Sequence, residues 1–198
     1  MATDYALLSE NLSRFYDFTD KVVLFIGAAG RQLLDPATPT RKLIAIDRDV
    51  EALRGLKANI VAQGLQNSVE VVGASFEEVT LHGDAVYFEF CLHEMNDSAK
   101  ALIHAKSLAP DIVVYDHSPG SEWSYYCAEE NKVSLSSAAM ERFGIRRHQT
   151  FQAEQRFGNH AELLAKVGLE RPLAVERTQR FARDRDIVIP MSYELNLL

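Results

Sequence analysis

Residues 21–50 contain two short apolar runs separated by a turn of small residues. The first run, residues 22–26, ends in the turn Gly27-Ala28-Ala29-Gly30, and the second, residues 43–46, ends in Asp47. This order is typical of a strand, a tight turn, a helix and a second strand that carries an acid at its carboxyl end. It predicts the start of a parallel sheet whose strands are joined by helices.

The same segment predicts a ligand. Small residues after the first strand let the backbone approach a ligand closely, and a carboxylate after the second strand can hold two ribose hydroxyls. We therefore expect a molecule that contains adenosine, contacted by the turn and by Asp47. The turn lacks the glycines that seat a pyrophosphate on a helix N-terminus, which disfavours nicotinamide dinucleotides. The alternative is a tightly packed turn that binds nothing.

The alternation continues along the chain. Apolar strand-like runs recur at residues 69–72, 85–90 and 112–115, and helix-like segments lie after Gly30, at 49–63 and at 97–108. Asp49 and Asp97 are expected to cap the two longer helices. An amphipathic helix is expected within residues 4–18. Short, almost continuous apolar strands between helices indicate a parallel sheet that is covered on both faces.

The last third of the chain has a different pattern. It predicts a long helix over 122–142, a helix over 159–167, and strands over 172–181 and 186–195. The four residues between these strands cannot hold a crossover helix, so the strands are expected to pair antiparallel. The predicted fold is α/β and Rossmann-like, with a seven-stranded sheet of five parallel strands and a C-terminal antiparallel pair, and helices on both faces.

Length and charge limit the functional classes. A chain of 198 residues suits one domain, here divided into an N-terminal helix (1–20), a cofactor-binding half (21–120) and an acceptor-side part (121–198). The net charge is -7 and the basic residues are scattered, which disfavours nucleic acid as a partner. No apolar run reaches the roughly 18 residues of a membrane span, and two cysteines suggest no disulfide framework. We expect a cytoplasmic protein, and its oligomeric state stays open.

The order and spacing of these elements resemble the class I S-adenosylmethionine (SAM)-dependent methyltransferases, over nearly the whole chain. The small branch with the ubiquinone and menaquinone C-methyltransferases is the most similar. In the family motif acid-x-Gly-x-Gly-x-Gly, this chain has Phe25, Gly27, Ala29 and Arg31, so only Gly27 is retained. The resemblance implies SAM as cofactor and methyl transfer to a small-molecule acceptor. SAM carries no phosphate and tolerates Ala29 better than a dinucleotide does.

The resemblance also implies cofactor contacts. Asp47 corresponds to the ribose-binding acid, and Arg48 is expected beside the adenine. The family's Gly-Asp-Ala after the third strand is replaced by Gly73-Ala74-Ser75-Phe76, so Ser75 is expected to accept from the adenine amino group. Phe76 either packs on the adenine ring or belongs to the core. The predicted cofactor-binding residues are Gly27, Ala28, Ala29, Gly30, Asp47, Arg48, Ser75, Phe76 and Glu89.

Two neighbouring strand ends carry the candidate catalytic residues. The predicted fourth strand is followed by His93, and the fifth ends in Asp116 and His117. Ligands of such sheets lie beyond the carboxyl ends of the strands, so these three side chains are expected to meet. His93 corresponds to the Leu-His-His-Leu segment of quinone-type methyltransferases, and a histidine that titrates near neutrality can remove a proton. The alternative is a His93 that only packs or caps a helix.

The acceptor side is defined less well. Trp123 is expected as a pocket wall, Tyr126 (or its neighbour Tyr125) as a hydroxyl donor, and His148 in an irregular stretch where substrate lids often lie. The methyltransferase hypothesis assigns no metal ligands. A second hypothesis is metal-assisted chemistry on the same fold, with a divalent cation held by two or three of Glu89, His93, Asp116 and His117. A third is a SAM-binding module that has lost catalysis.

Overall fold

The computed structural model describes residues 4–28 and 38–198, and the strands of these residues form one seven-stranded sheet. The order across the sheet is β3-β2-β1-β4-β5-β7-β6. Strands β1 to β5 are parallel, whereas β7 pairs antiparallel with both β5 and β6. This confirms the predicted fold class. The strands are β1 (Val22–Ile26), β2 (Lys42–Asp47), β3 (Val69–Gly73), β4 (Ala85–Glu89), β5 (Asp111–His117), β6 (Arg147–Asn159) and β7 (Arg185–Leu197).

Helices cover both faces of the sheet, as predicted. Phe25, Tyr87 and Tyr115 belong to the apolar cluster on one face, and their chain neighbours, such as Leu24 and Val86, belong to the cluster on the other. This alternation explains why the parallel strands are apolar throughout. The helices are α1 (Tyr5–Phe15), α2 (Val50–Ala62), α3 (Ser98–Leu108), α4 (Glu122–Tyr126), α5 (Glu130–Phe143), α6 (His160–Val167) and α7 (Pro172–Thr178).

The predicted caps of two helices are confirmed. The Asp49 side chain accepts a hydrogen bond from Ala52 N at 3.0 Å, and Asp97 accepts one from Lys100 N at 3.0 Å. Each carboxylate satisfies a donor that the first turn leaves unpaired. The helix expected after Gly30 lies outside the described residues.

The expected strand over residues 172–181 is wrong. This segment forms α7 and a 3-10 turn, Gln179–Phe181. Pro172 occupies the first helical turn, where its missing N–H has no cost, and the buried Ala174 and Thr178 are four residues apart on one helix face. The strand that pairs with β7 is β6, in the stretch expected to be irregular. Its alternating inward residues were a usable signal: Phe151, Ala153, Gln155 and Phe157.

The expected long helix over 122–142 is broken into α4 and α5. Ala128 lies between them with a φ of 57°, a left-handed conformation that interrupts a right-handed α-helix. The break turns Glu129 into the protein interior, where its side chain is only 10% exposed. It therefore contributes a buried carboxylate next to the ends of β4 and β5.

The antiparallel pair β6–β7 continues past the end of β5. Residues 193–197 of β7 pair with β5 as well as with β6, whereas residues 185–191 pair with β6 alone. We call this two-stranded extension the arm. Trp123 of α4 supports the arm by stacking on Phe157 of β6, with a ring separation of 5.8 Å. Among the described helices, none is long and apolar enough to cross a membrane.

Candidate functional site

A cavity of about 160 Å³ lies at the carboxyl ends of the central strands. It adjoins the point between β1 and β4 where the strand order reverses, because the chain runs outwards from β1 to β2 and β3 and then returns to β4; open parallel sheets bind ligands at such a point. Five of the predicted cofactor contacts line it: Gly27, Asp47, Arg48, Ser75 and Phe76. The other lining residues are Ile26, Ile46, Ala74, Glu77, Cys91, Glu94, Met95 and Asn96.

Gly27 allows the turn after β1 to approach β4 closely. Its φ is +79°, and a Cβ at this position would lie 2.9 Å from both Cβ and Sγ of Cys91. No side chain fits there without displacing Cys91. Ala28 is fully buried, and Ala29 and Gly30 lie outside the described residues. The retained glycine of the motif therefore has a packing reason that is independent of any ligand.

Asp47 is positioned by the end of β2. Its backbone oxygen accepts from Ala74 N at 3.1 Å, and its Oδ1 accepts from Asp49 N at 2.9 Å. Asp49 caps α2, whereas Asp47 lines the cavity, as predicted for the acid at the end of the second strand.

The third strand brings an acid that the sequence analysis missed. A 3-10 turn, Phe76–Glu78, follows β3 and directs Glu77 to the cavity. Ser75 Oγ donates a hydrogen bond to Glu77 Oε2, and this bond is the main cause that lowers the pKa of Glu77. Ser75 thus already has an acceptor. The family resemblance covers Gly73-Ala74-Ser75-Phe76, which contains no acid, but the tight turn brings the carboxylate of the next residue, Glu77, to the cavity.

Phe76 belongs to the apolar core and also lines the cavity. It is 4% exposed and makes edge contacts with Phe88 and His104, with ring separations of 5.2 and 5.0 Å. Glu89 does not line the cavity. It is buried at the end of β4 and accepts a hydrogen bond from the Tyr87 hydroxyl at 2.8 Å.

The three predicted catalytic residues do meet at the ends of β4 and β5. His93 Nδ1 lies 2.6 Å from Asp116 Oδ1, and His93 N donates to Asp116 Oδ2 at 3.1 Å. Asp116 Oδ1 also accepts from His117 N at 2.8 Å. The ring centroids of His93 and His117 are 5.7 Å apart. One buried carboxylate therefore orients both histidine-bearing segments.

The two histidines have opposite electrostatic surroundings. Burial by itself lowers the pKa of His93, but the carboxylates of Asp116 and Glu129 outweigh it and raise the pKa to about 10. Burial lowers the pKa of His117 to about 4, against the attraction of Asp116. The expectation of a His93 that titrates near neutrality is therefore wrong, because two buried acids face its ring.

Residues outside the predicted set complete the surroundings of His93. We call His93, Glu94, Asp116, Glu129, Lys132 and Arg171 the His93 cluster. Glu129 Oε1 accepts from Arg171 Nη1, and Glu94 Oε2 lies 2.6 Å from Lys132 Nζ. Burial by itself raises the pKa of Glu129, but its contacts with His93 and Arg171 lower it. No sequence signal indicated Glu129, because an unbroken helix would have left it on the surface.

The predicted acceptor residues are not gathered at the cavity. Trp123 is 4% exposed and stacks on Phe157, and Tyr126 is 2% exposed with its hydroxyl accepting from Arg180. Both are core residues. His148 pairs with Asn196, which pairs with Val114 in the middle of β5 rather than with the end of that strand. His148 thus lies away from the other candidates.

The metal ligand set of the second hypothesis does not assemble. His93 Nδ1 is hydrogen bonded to Asp116, whereas Glu89 accepts a hydrogen bond from the Tyr87 hydroxyl. Among the described residues, a different group converges, namely His93, Glu94 and Glu129.

The fold is similar to those of solved structures, although the sequence identity is low. No family model and no curated protein matches the sequence. The YcgJ protein from Bacillus subtilis is similar over 97% of both chains, with a TM-score of 0.73 and 14% identity. A putative methyltransferase from Bacillus halodurans is similar over 96% of both chains, with a TM-score of 0.70 and 17% identity.

A third solved structure contains ligands. Coclaurine N-methyltransferase, bound to N-methylheliamine and SAH, is similar over 98% of this chain and 72% of its own, with a TM-score of 0.63 and 12% identity. Identities this low establish architecture rather than activity. The chain therefore has the fold of the class I SAM-dependent methyltransferases.

Proposed function

We propose that this protein is a SAM-dependent methyltransferase that acts on a small molecule. The observation that carries the proposal is the cavity at the strand ends, which is lined by Gly27, Asp47 and Glu77. A tight glycine turn and two carboxylates suit a ligand with a compact polar chain, a ribose and an amino-substituted base. The fold supplies the independent support, since solved structures of similar architecture are described as methyltransferases.

In this proposal the cofactor lies along the strand ends. Asp47 accepts from the ribose hydroxyls, and Glu77 accepts from the adenine amino group, the role first expected of Ser75. Ile46, Phe76 and Met95 are the apolar lining residues suited to the faces of the base. The methionine part is directed towards Gly27 and Cys91. The residues present therefore fit SAM without the family's acid at the position of Phe25.

The chemistry needs little from the protein beyond placement. In methyl transfer the acceptor's lone pair forms the new bond to carbon as the carbon–sulfur bond breaks, and sulfur keeps that electron pair. Alignment of the two reactants contributes much of the rate. Both ring nitrogens of His93 face carboxylates, Nδ1 towards Asp116 and Nε2 towards Glu94 and Glu129. We therefore assign His93 and Asp116 a positioning role.

His117 is the better candidate for contact with the acceptor. Its Nδ1 has no hydrogen-bond partner among the described residues, so it can accept from an acceptor hydroxyl or amine. Phe90 packs on this ring at 4.7 Å and has a φ of 47°. Because a left-handed conformation is strained for phenylalanine, we propose that Phe90 moves when the acceptor binds.

A small molecule fits the charge of the protein better than a nucleic acid does. The net charge of -7, with scattered basic residues, gives no concentrated phosphate-binding surface. Acceptor screening should therefore start with compounds that carry a hydroxyl, an amine or an activated carbon. A pool of RNA serves as the comparison.

Calorimetry with SAM and with its demethylated product SAH tests the proposal. We expect one site, at least tenfold weaker binding for Asp47→Ala and for Glu77→Gln, and unchanged binding for Glu78→Gln, whose exposed side chain does not line the cavity. Absence of binding by both ligands would exclude the proposal. Binding without methylation of any compound in a broad panel, followed by mass spectrometry, would favour the module that has lost catalysis.

A further inference from the structure

We propose that His93, Glu94 and Glu129 form a binding site for a divalent transition-metal ion, of the chemical type of Zn²⁺ or Mn²⁺. One ligand atom from each residue lies within 4.8 Å of the others, and no ion is required by the proposed methyl transfer. One imidazole and two carboxylates are a donor set that suits these ions. The inference is independent of the proposed function, because it concerns only metal binding.

The atoms that face one another are not hydrogen bonded. His93 Nε2 is 3.7 Å from Glu94 Oε1 and 3.7 Å from Glu129 Oε2. Both distances exceed the donor–acceptor distance of an N–H···O hydrogen bond, which is at most about 3.2 Å. Ligand bonds of about 2.1 Å in tetrahedral geometry separate neighbouring ligand atoms by about 3.4 Å. The two distances from His93 Nε2 exceed this value by a few tenths of an ångström, and a shift of the carboxylates towards each other would close the site. Glu94, whose side chain is 34% exposed, has the freedom to make it.

Each ligand is also held from outside the site. Asp116 binds the other ring nitrogen of His93 at 2.6 Å, and Lys132 binds the other oxygen of Glu94 at 2.6 Å. Arg171 binds the other oxygen of Glu129. Such outer partners orient metal ligands in known sites, most clearly where a carboxylate fixes a ligating histidine. The His93 side chain is only 3% exposed, and its Nε2 is directed at the carboxylates of Glu94 and Glu129.

The charges of the cluster leave room for a cation. Glu94, Asp116 and Glu129 supply three negative charges, and Lys132 and Arg171 supply two positive charges, so one further positive charge, either a proton on His93 or a metal ion, balances the cluster. An uncompensated buried charge is unfavourable. A proton on His93 Nε2 would cancel the charge but would make one hydrogen bond. A metal ion would bind His93 Nε2 and one oxygen each of Glu94 and Glu129.

The site has a route to solvent. His93 and Glu94 line a surface groove of about 480 Å³ between α3 and α5, and Glu94 also lines the cavity described above. A bound ion could therefore exchange with solvent and keep a coordination position open. Sequence spacing predicted a different ligand set, because Glu129 reaches the site only through the break between α4 and α5.

Metal titration of the full chain tests the site. After removal of metals with a chelator, Zn²⁺ is titrated by calorimetry and Co²⁺ by visible absorption, both without SAM. We expect one ion per chain with a dissociation constant in the micromolar range or below, and a visible Co²⁺ spectrum of a nitrogen- and oxygen-ligated ion. Glu94→Gln should weaken binding at least tenfold.

The matched control is Glu130→Gln, next to Glu129, because Glu130 pairs with Arg177 outside the cluster. It should bind the metal as the unmodified chain does. Glu129→Gln should also lose affinity for the metal ion, provided that circular dichroism shows this variant to be folded. If Glu129→Gln does not fold, the affinity of Glu94→Gln, which changes a partly exposed residue, is the deciding measurement. Absence of saturable binding, or equal affinity in Glu94→Gln and Glu130→Gln, would overturn the proposal and leave a proton as the cation that His93 holds.

Discussion

His93 and Asp116 are joined twice, by the ring nitrogen Nδ1 at 2.6 Å and by the backbone N–H at 3.1 Å. The first contact sets the orientation of the ring, and the second attaches the turn after β4 to the end of β5. Asp116 is 1% exposed, so neither contact competes with water. The pair is therefore structural as much as chemical, whatever reaction the site performs.

Asp116→Asn should destabilise the fold strongly. It removes the buried negative charge that faces His93, and the loss of one partner of a buried pair typically costs about 3–5 kcal/mol. Urea unfolding monitored by circular dichroism measures the change. Glu51→Gln is the control, because its pair with Arg54 is exposed and should contribute less than about 1 kcal/mol. Similar losses in the two variants would contradict the structural role of Asp116.

Gly27→Ala should cost more stability than Gly64→Ala. Both glycines have positive φ, +79° and +70°, so both substitutions carry a similar conformational penalty of about 1 kcal/mol. Only Gly27 also has side-chain atoms within 2.9 Å of the added carbon, whereas nothing lies within 4 Å at Gly64. The difference between the two free energies of unfolding isolates the contact with Cys91. Equal losses would show that Cys91 moves aside at no cost.

Asp111 should make stability depend on pH at the opposite end of the sheet. Burial opposes the shift, but hydrogen bonds from Tyr16 and Arg146, both at 2.6 Å, lower the pKa of Asp111 below its usual value. A lowered folded-state pKa means that the stabilisation is present above the unfolded-state pKa of about 3.9. It is lost as the pH falls through the folded-state value.

Asp111→Asn should therefore be less stable than the unmodified chain at pH 6, and the difference should shrink below about pH 4. Unfolding free energies measured from pH 6 down to pH 3 provide the test. Asp186→Asn, at an exposed position where asparagine tolerates the observed φ of 52°, should leave the pH profile unchanged. A constant gap between Asp111→Asn and the unmodified chain would contradict the linkage.

Trp123 should matter for folding more than for ligand affinity. It is 4% exposed and supports the arm through Phe157, so Trp123→Ala should cost about 3–5 kcal/mol. Trp123→Phe retains an aromatic ring and should cost less. Because Trp123 is the one tryptophan of the chain, unfolding of these variants must be followed by far-UV circular dichroism. A folded Trp123→Phe with tenfold weaker SAH binding would instead support the predicted pocket wall.

The parallel half of the fold was predictable because its strands are buried on both faces. Residues such as Leu24 and Phe25 face different helix layers, which makes the run apolar throughout and easy to recognise. The antiparallel pair β6–β7 was harder to predict from the sequence. Most of β6 is exposed, so its sequence is polar, and the alternation from Phe151 to Phe157 competes with a more apolar segment that forms α7.

The site could be predicted only where it depends on strand order. Asp47 and Asp116 lie at the ends of buried strands and His93 follows one, and topology alone brings such positions to one edge. Glu77 and Glu129 reach the site through a 3-10 turn and a helix break. Both features are set by tertiary packing, and neither has a local signature strong enough to identify the residue beforehand.

β7 has two parts with different surroundings, one inside the sheet and one in the arm. Residues 193–197 have strand neighbours on both sides, whereas residues 185–191 have one neighbouring strand and rely on side chains packed beneath them. Amide protons should therefore exchange with deuterium faster in the first part of β7 than in the last, within one uninterrupted strand. The C-terminal residues would then stay protected after the start of the same strand has opened.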